Sequence, residues 1–526
     1  MNLSDSKAIA QTAGLNPATG ELLGTLNNTP IEHMPAIFEA ARKAQAQWGA
    51  MSFKQRARHI RLMREYIIEH ADELAETVSR SSGKTRMDAL TTEVLPCTLA
   101  CNWYGKNAAK VLKTERREAS SIIWMGKRSI VTHEPLGVVA IISPWNYPLS
   151  IPFGEIVMGL MAGNAILLKV AAATPLVGKA IEDIVKAGQL PEGLFHHIVG
   201  AGAEVSTAFF NNGVDKIFFT GSVPAGKDLM AQAAKTLTPL SLELGGKDPM
   251  IVLEDADLDR AAAGAAWAGL QNSGQSCAAV ERVYVHETVY DAFVQKLSKL
   301  TASLRQGVPD ADCTVDIGSM TTAKQRRLVE RHVDEAVAQG AKIAAQAQLA
   351  PNLHGEFYPA TVLTHVNHSM AVMTEETFGP LLPVMKFKTE DEAVKLANDS
   401  TMALTASIWS KNTARAKALA KRVNGGVVVI NDHLYTHGMS DMPWGGPYES
   451  GIGRTHGPEG LLEMSRMKAV NWDLLGAKRN LWWYPQDLQT YNVLKSAIRL
   501  GSPRNVLEFV WSAFKVLPHM IKRMYF

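Results

Sequence analysis

Cysteine is scarce. The 526 residues hold four, Cys97, Cys101, Cys277 and Cys313, too few and too scattered for a disulfide framework, which points to a reducing cytoplasm. No run of eighteen apolar residues occurs, which excludes an ordinary bilayer-spanning helix. The first residues, Met1 to Gln11, carry Asp5 and Lys7 but no apolar stretch, so no secretory leader is expected. Neither sign of charge is in excess: the formal net charge is +3, too small for a nucleic-acid footprint. Internal repeats and low-complexity segments are absent. Metal-ligand spacing is missing too. Cys97 and Cys101 stand four apart with no second pair and read as buried core thiols, and His196, His197, His433 and His437 read as surface or loop residues. No metal is indicated.

What remains is an ordinary globular composition, 46% hydrophobic and 20% charged, in a chain too long for one core. Two large domains and a minor third element are expected. Asn16 to Gly20 reads as a turn between two extended pieces, and Pro35 to Arg80 has apolar residues at helical spacing. Ser120 to Thr132 reads as a hairpin, with Ile122, Ile123 and Trp124 on one arm and Ile130 and Val131 on the other. Alternation of strand and helix then begins. Leu136 to Ile142 is a short apolar run of the kind buried on both faces of a parallel sheet. It ends in Ser143-Pro-Trp-Asn-Tyr-Pro148, a turn at a strand's carboxyl end, where open α/β sheets take ligands. Helix (151–162), strand (165–170), helix (from Pro175) and strand (195–199) follow. Lys216 to Thr220 leads into Gly221-Ser-Val-Pro-Ala-Gly226 and another helix, an order that sets a helix N-terminus against a pyrophosphate. Its Gly-x4-Gly spacing is by itself a weak signal. A second α/β region runs from Lys247 to Asn424. The fold class is therefore α/β, with two doubly wound domains and a small β element.

Two stretches carry chemistry. Asn272-Ser-Gly-Gln-Ser-Cys277 sets one cysteine after a Gly/Ser turn, and Leu242-Glu-Leu-Gly-Gly-Lys247 sets one carboxylate before a Gly-Gly loop. A reactive thiol and a base for water are the pair that thioester hydrolysis needs. Alone, Cys277 would read as a small core hydrophobe, Glu243 as a solvated charge and Asn146 as a turn residue.

In order along the chain stand Pro144-Trp-Asn-Tyr-Pro148, Phe219-Thr-Gly-Ser222 with Gly226, Glu243 to Lys247, Gly274-Gln-Ser-Cys277, Glu375-Glu-Thr-Phe-Gly-Pro380, and Gly445-Gly446 with Ser450-Gly-x-Gly-Arg454. This ordered set, spanning roughly Leu15 to Trp472, resembles the aldehyde dehydrogenase superfamily. The resemblance implies a discontinuous dinucleotide-binding domain (1–119 and 134–246), a catalytic domain (247–445) and an oligomerisation element (120–133 and 446–475). It implies a homo-oligomer, dimer or tetramer, with the 120–132 hairpin and the strand after Lys468 at the subunit contact. Cys277 looks like the nucleophile, Asn146 the oxyanion donor and Glu243 the base for deacylation. Trp145 and Ser222 resemble pyrophosphate neighbours, and Gly221, Gly226 and Leu244 are implied in cofactor binding with them. Lys169 resembles the lysine at the adenosine ribose, Glu376 the residue holding the nicotinamide ribose, and Phe378 lies beside that ring. The implied reaction is oxidation of a small-molecule aldehyde to its acid with NAD or NADP. Rival readings are a CoA-acylating enzyme, disfavoured by the retained Glu243, and a non-catalytic membrane scaffold, which predicts loss of Cys277, Glu243 or Asn146.

Two positions depart from the family pattern. Lys169-Val-Ala-Ala172 lacks the carboxylate that accepts from the adenosine ribose diol, which leaves NADP open. Glu155 stands where some branches carry lysine, and it either faces the substrate tunnel or caps a helix. Beyond the family's usual end, residues 476–526 hold eight basic and two acidic residues, with many aromatics. This amphipathic tail, in which Pro518 is expected to break any long helix, suits a membrane surface or packing on the body or a partner subunit, equally.

Overall fold

The computed structural model describes residues 10–121, 124, 126–474 and 476–526. Ile122 and Ile123 of the expected hairpin, and Met1 to Ile9 of the expected leaderless start, lie outside them. The chain divides into two compact units, Met1–Val111 with Pro135–Ser465 and Leu112–Glu134 with Arg466–Phe526.

The first unit holds two large sheets. Val138–Ile142 (β1) and Ala165–Lys169 (β2) are buried at every position, as expected of central parallel strands covered on both faces. Phe195–His197 (β3), Lys216–Thr220 (β4) and Leu240–Glu243 (β5) complete the parallel set, in the order β5-β4-β1-β2-β3, with Gly451–Ile452 antiparallel at the edge. The order reverses between β1 and β4. Ligand crevices in open sheets form at such a switch point, outside the carboxyl ends, and the loops there carry Trp145 with Asn146 and Gly221 with Ser222.

The second sheet is built from Asp248–Val252 (β6), Val280–His286 (β7), Thr361–Thr364 (β8), Leu381–Phe387 (β9), Thr405–Trp409 (β10) and Val427–Ile430 (β11). These six are parallel, and Lys342–Gln346 closes one edge antiparallel. Only Leu244 to Lys247 separates β5 from β6. The carboxyl end of one sheet therefore meets the amino end of the other within four residues. Helices Ser150–Ala162 (α1), Pro175–Ala187 (α2), Val223–Ala233 (α3) and Leu258–Leu270 (α4) follow β1, β2, β4 and β6. The last is started by Asp257, which accepts from Arg260 N at 3.1 Å. Cys97 and Cys101 are buried free thiols in the helix Leu95–Val111, as expected.

In the second unit Lys127–Pro135 pairs with Glu115–Arg117, in register Glu115 with Val131, and with Ser465–Asp473. The strand Glu115–Arg117 was not expected, because a polar strand at a sheet edge carries no alternating apolar signal. The tail forms two helices, Leu488–Gly501 (α5) and Val506–Tyr525 (α6). Pro518 does not break the second one. Pro518 lies on the exposed face with Phe514, so the carbonyl its missing N–H leaves unpaired is open to water.

Candidate active site

Cys277 follows a turn with three successive left-handed residues, Asn272 (φ 52°), Ser273 (φ 54°) and Gly274 (φ 67°). A Cβ on Gly274 would stand 2.1 Å from the Gly379 carbonyl oxygen, so only glycine fits there. Side chains lock the turn. Asn272 Nδ2 donates to the carbonyls of Asn146 (3.0 Å) and Gln275 (3.1 Å), and Gln275 Nε2 donates to Asn272 O (3.0 Å). Asn146 Nδ2 donates to Gln275 O at 3.1 Å, so its amide lies against the backbone two residues before the thiol.

The Asn146 loop is held from beneath. Lys84 Nζ, fully buried, donates to Asn146 O at 2.7 Å and to Glu93 Oε1 at 2.5 Å. Glu93 Oε2 accepts from Leu149 N (2.8 Å) and Ser150 N (3.0 Å), at the start of α1. Lys84 also lies 4.3 Å from the centre of the Tyr147 ring. Sequence reasoning missed this pair, since isolated charges in helical segments ordinarily face water.

Glu243 ends β5. It is 5% exposed, and neither carboxyl oxygen has a protein hydrogen-bond partner. Burial, then the charge of Glu155, pushes its pKa well up, against a smaller opposing effect of Arg454. Glu155 lies mid-helix in α1, where all thirteen residues are buried. It neither caps the helix nor meets solvent, and burial raises its carboxyl to about 8. Both carboxyls line one narrow cavity with Cys277, Thr455, His437 and His456, with room for about one water molecule at most. Burial and the carboxylates of Asp248, Glu376 and Glu243 raise the Cys277 thiol.

Of the histidines expected at the surface or in loops, His433 and His437 lie in the loop after β11 but point inward. His433 is 1% exposed and bonds the Ala278 carbonyl at 3.0 Å, and burial lowers it to about 4. His437 stacks on Tyr147 with 5.7 Å between ring centres and meets Trp444 edge-on. His197 pairs with Glu182 at 2.8 Å. These contacts are made by the packed fold, and the spacing of the histidines does not reveal them.

Glu375 to Pro380 is fastened by a second buried ion pair. Lys247 Nζ meets Glu281 Oε2 at 2.6 Å, and Glu281 accepts from Thr377 N (2.8 Å) and Phe378 N (2.7 Å). This holds Phe378 in its left-handed conformation (φ 50°), with its ring edge-on to Trp145 at 5.5 Å. Gly246 N donates to Glu376 Oε1 at 3.1 Å. Burial and the nearby Glu281 raise Glu376 to about 8.

A second opening, about 290 Å³, reaches Tyr147, Ser276 and His437 from outside. Leu95, Leu99, Trp267, Leu434 and Met439 line it, and no charged side chain does.

Residues 4–470 match the aldehyde dehydrogenase family. The chain belongs to that family. A relative from Methylomonas sp., named 4,4'-diapolycopene aldehyde oxidase, is 38% identical over 92% of this chain and 90% of its own. A protein of Mycobacterium ulcerans (strain Agy99), provisionally named an NADP(+) succinate-semialdehyde dehydrogenase, is 37% identical over 86% of each. Among solved structures, betaine aldehyde dehydrogenase from Staphylococcus aureus in complex with NAD+ shares 31% identity, with a TM-score of 0.84 over 90% of this chain and 94% of that one. An aldehyde dehydrogenase from Brucella melitensis biovar abortus 2308 shares 33%, also at 0.84, over 88% and 94%.

Aldehyde dehydrogenases use NAD or NADP, and the side chains here fit such a group. The N-terminus of α3 is free of a side-chain cap at Ser222, leaving N–H groups for an anion. A Cβ on Gly226 would stand 2.7 Å from Leu244 Cδ2, so glycine lets the helix start approach the Leu244 loop. Lys169, 7% exposed at the end of β2, has no carboxylate paired with it among the described residues, and burial alone lowers its pKa.

Proposed function

We propose that the chain oxidises an apolar aldehyde to its carboxylic acid, with NAD or NADP as acceptor, through a thiohemiacetal and then a thioester on Cys277. The observation that carries this reading is the cavity shared by the Cys277 thiol and the unpaired Glu243 carboxyl, sized for one water. Sγ attacks the aldehyde carbon, and the negative oxygen is met by the Asn146 amide and the Cys277 N–H; losing such a donor costs about 10²–10³ in rate. With the thiol proton released to water, the thiohemiacetal carbon would pass its hydride to a bound dinucleotide and leave the thioester on Cys277, and the positive charge of the dinucleotide's oxidised ring would favour the thiolate. Glu243 then takes a proton from water, which attacks the thioester carbon. The C–S bond breaks, the acid leaves and the thiol is restored.

Trp145 and Ser222 would lie at the pyrophosphate, with Gly221, Gly226 and Leu244 also in the cofactor site, Lys169 at the adenosine ribose, and Glu376 and Phe378 at the nicotinamide end. That assigns 1–119 and 134–246 to dinucleotide binding, 247–445 to catalysis and 120–133 with 446–475 to assembly. A reducing cytoplasm suits the four free thiols. The exposed strand Ser465–Asp473, with Met467, Val470 and Trp472 outward, supports a homo-oligomer, dimer or tetramer.

The uncharged mouth supports an apolar substrate, since a second carboxylate would need a cation. The name of the Methylomonas relative, which refers to a long hydrocarbon aldehyde, points the same way. Each buried methylene contributes about 0.8 kcal/mol, so lengthening an aliphatic aldehyde by four carbons should raise kcat/KM roughly 10²-fold. Succinate semialdehyde should be a poor substrate. With no carboxylate at Ala172 to repel a 2′-phosphate, NADP should fall within about tenfold of NAD. An aldehyde panel with both cofactors checks all three; a preference for succinate semialdehyde, or strict NAD use, would sink the corresponding part. The preparation should elute as a dimer or tetramer.

Glu155 has its own test. Its charge raises Glu243, so Glu155→Gln should lower the Glu243 pKa and move the acidic limb of the kcat–pH profile to lower pH. Arg454 stays in place and pulls the same way. An unmoved limb, or one moved upward, would show that the two carboxyls do not communicate.

A further inference from the structure

The tail packs on itself with only one side of each helix. Leu481, Ala497, Leu500, Val516, Met520 and Met524 are buried. Arg523 ties the hairpin together, donating to the carbonyls of Leu481 (3.0 Å) and Trp483 (2.8 Å) and pairing with Asp487 at 2.9 Å. The other side is apolar as well, and its side chains are exposed among the described residues. On α6, Leu507, Val510, Trp511, Phe514 and Ile521 follow helical spacing and share one face. Leu507 is 82% and Phe514 79% exposed. On α5, Leu488, Tyr491 and Ile498 are exposed likewise. An uncovered apolar face of this extent marks an interaction surface.

Charge says what covers it. Lys495, Arg499, Lys515 and Lys522 are exposed on the same two helices, and Lys515 Nζ lies 3.8 Å from the Trp511 ring centre. The tail's two carboxylates are engaged elsewhere: Asp487 with Arg523 and Thr490 N, and Glu508 with Arg504 N at 2.8 Å. Among the described residues no carboxylate pairs with those four cations. A second copy docked symmetrically by this face would set like charges against each other without carboxylates to match them. Among the described residues no helix is long and apolar enough to cross a membrane.

We propose that this hairpin face lies in the interface of an anionic lipid surface, with the α6 stripe among the upper acyl chains and the four cations at the phosphates. The proposal is independent of the reaction. Full-length protein should co-sediment with vesicles of equimolar phosphatidylcholine and phosphatidylglycerol, bind phosphatidylcholine alone weakly, and dissociate as salt rises. Reversing two cations (Lys515→Glu with Lys522→Glu), or charging the stripe (Leu507→Asp with Phe514→Asp), should lower the partition coefficient at least about tenfold, each surface cation contributing roughly fivefold. These sites are exposed and outside the catalytic machinery, so aldehyde turnover in vesicle-free buffer should be unchanged. Equal binding to both vesicle types, or undiminished binding by both variants, overturns the proposal. So does failure of the full chain to bind, accompanied by self-association that the Leu507→Asp/Phe514→Asp variant abolishes, which would assign the face to a second copy.

Discussion

Glu243→Gln should release one equivalent of reduced dinucleotide per active site in a fast phase and then turn over roughly 10²–10⁴-fold more slowly than the parent. The expectation follows from where Glu243 lies and from what its amide isostere keeps. The side chain borders the Cys277 cavity without a protein hydrogen-bond partner, so glutamine fits without breaking a contact. Attack by the thiol and loss of hydride need only the Cys277 sulfur, the Asn146 amide and the acceptor. Hydrolysis needs a base, and an amide is not one. The thioester should accumulate and be seen as a mass increase equal to the acyl group. Unaltered steady-state turnover would assign the base to another residue. A missing fast phase would instead put Glu243 earlier, in activation of a thiol whose pKa is itself raised.

The second large effect is on stability. Glu93→Gln leaves Lys84 fully buried without its counter-charge, and breaking such a pair costs about 3–5 kcal/mol. Urea unfolding should show a clearly lower midpoint. Replacing both residues, Lys84→Met with Glu93→Leu, should recover stability only in part, because the N–H groups of Leu149 and Ser150 would then lack an acceptor. Activity should fall further than the folded fraction does, since Lys84 also holds the Asn146 carbonyl. A midpoint unchanged by Glu93→Gln would mean that the ammonium finds water or another acceptor.

Much of the frame was readable before any coordinates. Strand β1 is a continuous apolar run of the kind a parallel sheet covered on both faces buries. The turn at Gly274 announces itself by composition, and its left-handed φ explains why. Glu155 offered a fainter signal, one carboxylate in an otherwise uncharged thirteen-residue helix. The strand at Glu115 and the course of the helix through Pro518 were not readable. Edge pairing and a tolerated proline depend on which neighbour or solvent meets each backbone group, and local pattern does not encode that.

The sequence by itself determined the family, the α/β class and the residue types available for thiol, amide and base chemistry. Those rest on local requirements: a glycine where no side chain fits, an apolar run where both faces are covered, a cysteine after a tight turn. Tertiary structure decided which charges are buried and with whom. Lys84 meets Glu93, Lys247 meets Glu281, and Glu155 shares a cavity with Glu243. A carboxylate on paper is ionised and solvated; its pKa is set by the solvent it loses and the charges it gains, and both belong to the packed fold.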